Sequence, residues 1–122
     1  MECNCSASPN RLVFACSGAA NTGYLADQVA RRLALQGKAK LLCMAALGAE
    51  LEGYVRSART ADSNLVIDGC PTACGRKIFE RLGLPHTPVV LTDLGVEKGK
   101  TLIDEQVIDA IAARVDQGLS QT

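Results

Sequence analysis

Apolar residues come in short runs that end on small residues, and each run is followed by a stretch whose apolar positions recur three and four residues apart. The runs suit buried strands, and the three-and-four spacing suits one face of a helix. "RLVFAC" (Arg11 to Cys16) is the first run. "SGAANTG" turns the chain into a helix that Asn21 or Thr22 caps, that buries Leu25, Val29 and Leu33, and that Gly37 ends. "AKLLCMAALG" repeats the plan with a strand over Lys40 to Cys43, a small-residue loop, and a helix carrying Leu51, Val55 and Ala58. "NLVIDGC" is the third strand. Pro71 suits the first position of the next helix, which buries Ile78, Phe79 and Leu82 and stops at Gly83. "TPVVLTD" forms the fourth strand, and a last helix near Asp104 to Gln117 buries Val107, Ile108, Ile111 and Val115 ahead of Gly118.

Strands that alternate with helices pair in parallel through right-handed crossovers, with helices over both sheet faces. The pattern predicts a small three-layer, doubly wound α/β fold of the flavodoxin-like kind, with a four-stranded parallel sheet in the order 2-1-3-4. At 122 residues the chain suits one core. Residues 11–118 make the domain, 1–10 an N-terminal arm without fixed structure, and 119–122 a tail. Winding reverses between strands 1 and 3 in this order, and ligands bind outside the carboxyl ends of the strands at such a point.

Composition narrows the function. Lys plus Arg (13) equals Asp plus Glu (13), and aromatic residues make up 3% of the chain. A chain with no net field and few stacking rings is a poor nucleic-acid binder, and neutrality also argues against an anionic membrane surface. The start "MECNCSASPNR" lacks the basic and apolar regions of a signal peptide. A cytoplasmic protein is therefore expected, and six cysteines in a reducing compartment are metal ligands, redox groups or small buried residues before they are a disulfide framework.

Four of the cysteines share a topological position. Cys16 closes strand 1, Cys43 closes strand 2, Cys70 closes strand 3, and Cys74 comes about one helical turn later. All four project from one edge of the sheet, on neighbouring strands about 5 Å apart. Thiolates are strong ligands for zinc and for iron–sulfur clusters. Four Zn–S bonds of about 2.3 Å need sulfurs about 3.8 Å apart, which Cys70 and Cys74 approach if they stack on one helix. Helix amino ends at the same edge favour thiolate over thiol. The competing reading is that these are buried cysteines acting as small apolar residues.

At these residues the chain resembles the DGC-domain family, named for its central Asp-Gly-Cys and described as zinc-binding. The matching segments are "FACSGAANTG", the cysteine of "KLLCMAALG", "VIDGCPTACGRK" and "LTDLGVEKG". The resemblance implies that Cys16, Cys43, Cys70 and Cys74 are the chelating set; it implies no particular reaction.

Other candidates rank lower. Cys3 and Cys5 stand on the arm, at the start of strand 1 and so at the far end of the sheet; they belong to a disordered arm or supply extra ligands. "SGAANTG" has the small residues of a phosphate loop but lacks the lysine of a Walker motif, the spacing of a dinucleotide fingerprint, and an arginine six residues after Cys16, so it reads first as a structural turn. His86 precedes strand 4, opposite the cysteines, which leaves no Cys–His pair for nucleophilic catalysis. Asp68 and Asp93 end strands on the cysteine side as turn formers, acceptors behind a metal ligand, or bases. Lys98, Lys100 and Arg76 lie near that edge as balancing charge or solvated side chains.

The expectation is a soft-metal protein, zinc first, that senses or handles metal or redox state through Cys16, Cys43, Cys70 and Cys74. The alternatives are a thiol redox or sulfur-transfer (persulfide) enzyme using Cys70 and Cys74 with Cys16 as resolving partner, and an iron–sulfur cluster carrier. The metal ion is the partner expected; no nucleic acid, membrane or protein partner is indicated.

Overall fold

The structure, a computed structural model, describes residues 9–120. Cys3, Cys5 and most of the proposed arm lie outside them. The elements are β1 (Arg11–Ala15), α1 (Asn21–Leu35), β2 (Lys40–Leu41), α2 (Met44–Gly48), α3 (Glu52–Thr60), β3 (Ser63–Asp68), α4 (Cys74–Leu82), β4 (Thr87–Val90), a 3₁₀ turn (Leu91–Leu94) and α5 (Glu105–Ser120). The strands form one sheet in the order β2-β1-β3-β4, and every pairing is parallel. β1 pairs with β3 over the whole length of β1, from Arg11 opposite Ser63 to Ala15 opposite Ile67. The expected α/β fold and its 2-1-3-4 order are both present.

Alternation along the two central strands builds the layers. Val13, Ala15, Leu65 and Ile67 point to a face covered by α1 and α5, where they meet Leu25, Val29, Leu33, Ile108, Ile111 and Val115. Leu12, Phe14 and Val66 point to the opposite face, against Met44 and Leu47 of α2, Ala58 of α3 and Phe79 of α4. Phe14 and Phe79 meet edge to face, with ring centroids 5.1 Å apart, a preferred aromatic geometry. Arg32 of α1 pairs with Glu105 and Asp109 of α5, which ties the two helices of the first layer across their solvent side.

Several boundaries differ from expectation. β2 is two residues long, so Cys43 stands beyond the strand as the residue before α2. The helix after it is two helices, and Leu51 begins the second as its exposed N-cap rather than packing inside. Neither Asn21 nor Thr22 caps α1, because the helix already starts at Asn21 behind Ala20. Pro71 does not open α4; a turn over residues 70–73 intervenes, with Ala73 left-handed (φ 50°), and the helix begins at Cys74. α5 continues through Gly118 to Ser120, since Leu119 still packs on the core one turn beyond Val115. The stops at Gly83 and, two residues past α1, at Gly37 use positive φ as expected.

Candidate functional site

Close approach of two backbones shapes the carboxyl edge of the sheet. A Cβ on Gly69 would lie 2.4 Å from the Thr22 carbonyl oxygen, and one on Gly23 would lie 2.5 Å from the Gly18 carbonyl oxygen. The Asp-Gly-Cys turn after β3 therefore lies directly against the first turn of α1, and the loop after β1 folds over that same turn. Only glycine permits either contact. Ser17 and Ala73, which flank this junction, are two of the three non-glycine residues with positive φ among those described. Such backbone strain clusters at functional sites.

Asp68, the last residue of β3, is 1% exposed. One carboxylate oxygen accepts the Gly75 backbone N–H at 2.8 Å and the other accepts that of Arg76 at 2.9 Å. It caps α4 from seven residues upstream, satisfying two donors that a helix start leaves unpaired. A carboxylate held in this way acts as a structural clamp on the start of α4. Gly75 is required here as well, because a Cβ would lie 2.9 Å from Asp68 Oδ1 and 2.5 Å from Met44 Cε.

The cysteines divide between two clefts with a common wall. One, of about 550 Å³, is lined by Cys16 and Cys43 together with Asp27, Arg31, Met44 and Tyr54. The other, of about 390 Å³, is lined by Cys16, Cys70 and Cys74 with Thr22, Asp68 and Lys98. Cys16 is half-buried, and its sulfur accepts the Gly69 N–H at 3.3 Å. Cys43 is exposed, and its sulfur accepts the Ala46 N–H at 3.4 Å as the N-cap of α2. Cys74, also exposed, is the first residue of α4. Cys70 lies in the turn before it, so the two thiols are not stacked on one helix as the spacing suggested. All four are free thiols. They share the edge that topology predicts, yet among the described residues no three His, Cys, Asp or Glu side chains stand together closely enough to hold a metal ion.

Cys70 has the most distinctive surroundings. Hydrogen bonds from the Thr72 hydroxyl and backbone lower its pKa below the ordinary thiol range against the opposing effect of burial, and the Lys98 ammonium 3.5 Å from the sulfur adds a smaller lowering. Lys98 owes its place to Asn21. The Asn21 side chain donates to the Glu97 and Thr101 carbonyls at 3.1 and 2.8 Å and accepts the Gly99 N–H at 2.6 Å, which pins the loop over residues 97–101 to the start of α1.

The remaining candidates separate cleanly. Asp93 is exposed on the 3₁₀ turn and lines neither cysteine cleft. Arg76 pairs with Glu80 at 3.8 Å. Lys100 is exposed and lines neither cysteine cleft. His86 is half-buried at the opposite end of the sheet, with Nδ1 2.9 Å from the Leu84 carbonyl oxygen and its ring against Phe79. Sequence reasoning missed Thr72 and the anchoring role of Asn21. For Thr72 the signal was its place two residues after a cysteine. For Asn21 none existed, because its partners lie 76 to 80 residues away.

The DGC domain profile matches residues 12–115. The chain belongs to the DGC-domain family. It is also 35% identical over 91 residues to the anaerobic and virulence modulator AnvM of Pseudomonas aeruginosa, a match covering 74% of this chain and 70% of that protein. No solved structure matches it. Among the described residues of this DGC domain, no helix is long and apolar enough to cross a membrane.

Proposed function

We propose that this DGC-domain protein binds one soft metal ion, zinc in the first instance, through Cys16, Cys43, Cys70 and Cys74, and that gain or loss of the ion is how it senses or handles metal and redox state. The observation that carries this reading is Cys16, which forms part of both clefts and so stands between Cys43 on one side and Cys70 with Cys74 on the other. The donors fit in kind, since four sulfurs are the soft set that zinc and iron–sulfur centres take. Gathering them requires the two exposed thiols, Cys43 and Cys74, to turn toward Cys16. Four thiolates leave no open position for a water, which argues against a zinc hydrolase. Helices cover both sheet faces with buried apolar side chains, so a metal is not needed as a staple. The similar protein from Pseudomonas aeruginosa, whose name describes an anaerobic and virulence modulator, fits a sensing role better than a hydrolytic one.

A second reading rests on Cys70 itself. A thiol held toward its thiolate by Thr72 and Lys98 is equipped for exchange. It would attack one sulfur of a small disulfide, release the other as a thiolate, and be resolved by Cys16 or Cys74.

Anaerobic purification followed by elemental analysis and thiol titration separates the readings. One zinc per chain with four of the six thiols protected supports the metal site. Metal-free protein with two readily oxidised thiols overturns it in favour of Cys70 chemistry, and a brown protein with visible absorption assigns an iron–sulfur cluster instead.

A further inference from the structure

The 390 Å³ cleft holds more than thiols. Its floor is the start of α1, a helix of 15 residues whose N-cap, Ala20, offers no side-chain acceptor and whose first turn carries no acidic residue. The first N–H groups of such a helix have no acceptor within the helix and form the positive end of its dipole. Thr22, in that turn, lines the cleft with its side-chain hydroxyl buried and without a partner, and the residue is 1% exposed. Leaving a buried hydroxyl unpaired costs about 1–3 kcal/mol, a cost that a bound acceptor would remove. Lys98 is the one cation lining the cleft, and Asn21 holds its loop there. Asp68 is the one carboxylate, with both oxygens occupied by α4. Glycine and alanine make up much of the remaining wall, so the backbone is open to a ligand.

We propose that this cleft binds a tetrahedral oxyanion of the phosphate or sulfate class, as a free ion or as the head group of a small molecule, on the first turn of α1, the Thr22 hydroxyl and the Lys98 ammonium. Donors from a helix start, a side-chain hydroxyl and a separate loop approach from different directions, which suits a tetrahedral group better than a flat carboxylate. The loop "SGAANTG" is then both the tight turn that Gly23 requires and an anion cradle, without the lysine of a Walker motif; the cation comes from the loop over residues 97–101. Its volume lies near the lower end for small-molecule sites.

This goes beyond the metal reading and shares its cleft, since Thr22 and Lys98 line it beside Cys16, Cys70 and Cys74 without being among the four proposed ligands. The test is a titration of the full chain, at ionic strength held constant with chloride, followed by backbone amide shifts in two-dimensional NMR. Inorganic phosphate, sulfate and a small phosphomonoester are the three probes. Saturable shifts confined to residues 17–23, weakened at least about five-fold by Lys98→Ala and by Thr22→Val and retained in Thr22→Ser, support the site. The serine variant keeps the hydroxyl, and Lys98 is exposed, so the test survives if the valine variant fails to fold. Tighter binding of the monoester than of phosphate assigns a head group, and equal binding assigns the free ion. Shifts that never saturate, or that saturate as tightly in Lys98→Ala and Thr22→Val as in the natural protein, overturn the proposal. Zinc content measured on Thr22→Val should be unchanged, so failure here and failure of the metal reading are seen by different readouts.

Discussion

Cys43 and Cys70 occupy equivalent places, each after a parallel strand and shortly before a helix, and the surroundings treat them differently. β2 is two residues long and partly exposed; its cysteine lies in solvent and caps the short α2 with its own sulfur. β3 is six residues long and buried from its second residue onward, and between it and α4 lie a buried carboxylate clamp, a glycine wedged against α1, and a thiol set beside Thr72 and Lys98. The same topology thus supplies a loose junction and a tight one. Movement toward a common ligand is cheap on the β2 side, where few contacts hold Cys43, whereas on the β3 side the backbone is fixed by groups that cannot be replaced.

Substitutions that probe this contrast differ in size. Gly69→Ala should be the most damaging, at about 3 kcal/mol or more in urea denaturation, because its Cβ would strike the Thr22 carbonyl and only backbone movement can relieve the clash. Gly53→Ala, on the exposed face of α3 with nothing near its Cβ, should instead leave stability unchanged or raise it by about 0.5 kcal/mol. If the two variants unfold at the same denaturant concentration, the tight junction is a misreading.

Asp68→Ala comes next, with a loss of about 2 kcal/mol, since it strips the acceptor from two N–H groups of α4. Hydrogen exchange should show the first turn of α4 opening while α2 keeps its protection. Uniform loss across both helices would contradict a local cap.

The third contrast concerns reactivity. Cys70 is held toward the thiolate, so its alkylation by iodoacetamide should set in at lower pH than that of Cys43 in the reduced, metal-free protein. Thr72→Val and Lys98→Ala should each move the Cys70 profile to higher pH and leave the Cys43 profile where it is. The sign for stability follows from the same depression: the thiolate stabilises the fold above the unfolded-state thiol value, and that share is lost as pH falls through the folded value. Superimposed profiles for the two cysteines would remove the distinction between them.

The smallest effect belongs to Cys43→Ser. Serine is a good N-cap and the site is exposed, so metal-free stability should stay within about 0.5 kcal/mol of the natural protein. A loss above about 1.5 kcal/mol would mean that the β2 junction is as constrained as the β3 one.

The sheet order and the edge that carries the cysteines were readable from the chain, because runs such as Leu12–Phe14 and Leu65–Ile67 are buried on both faces and must be central parallel strands. Helix starts were read less well. Pro71 marked a plausible first helical residue, but Asp68 captures the N–H groups of Gly75 and Arg76, and that long-range cap sets the start of α4 at Cys74. Asn21 looked like a local cap and is spent on residues 97–101 instead. Local propensity offers both choices, and a distant partner selects one.

By itself, then, the sequence determined which strands are central, the side of the sheet to which Cys16, Cys43, Cys70 and Cys74 belong, and the family, since apolar period and cysteine placement are local properties of the chain. Only the tertiary structure decided that Cys16 is shared by two clefts, that Asp68 is a clamp, and that Lys98 and Thr22 face one cavity. Those outcomes depend on contacts between residues far apart in the chain, such as Gly69 against Thr22, where the absence of a Cβ determines whether two backbones can meet.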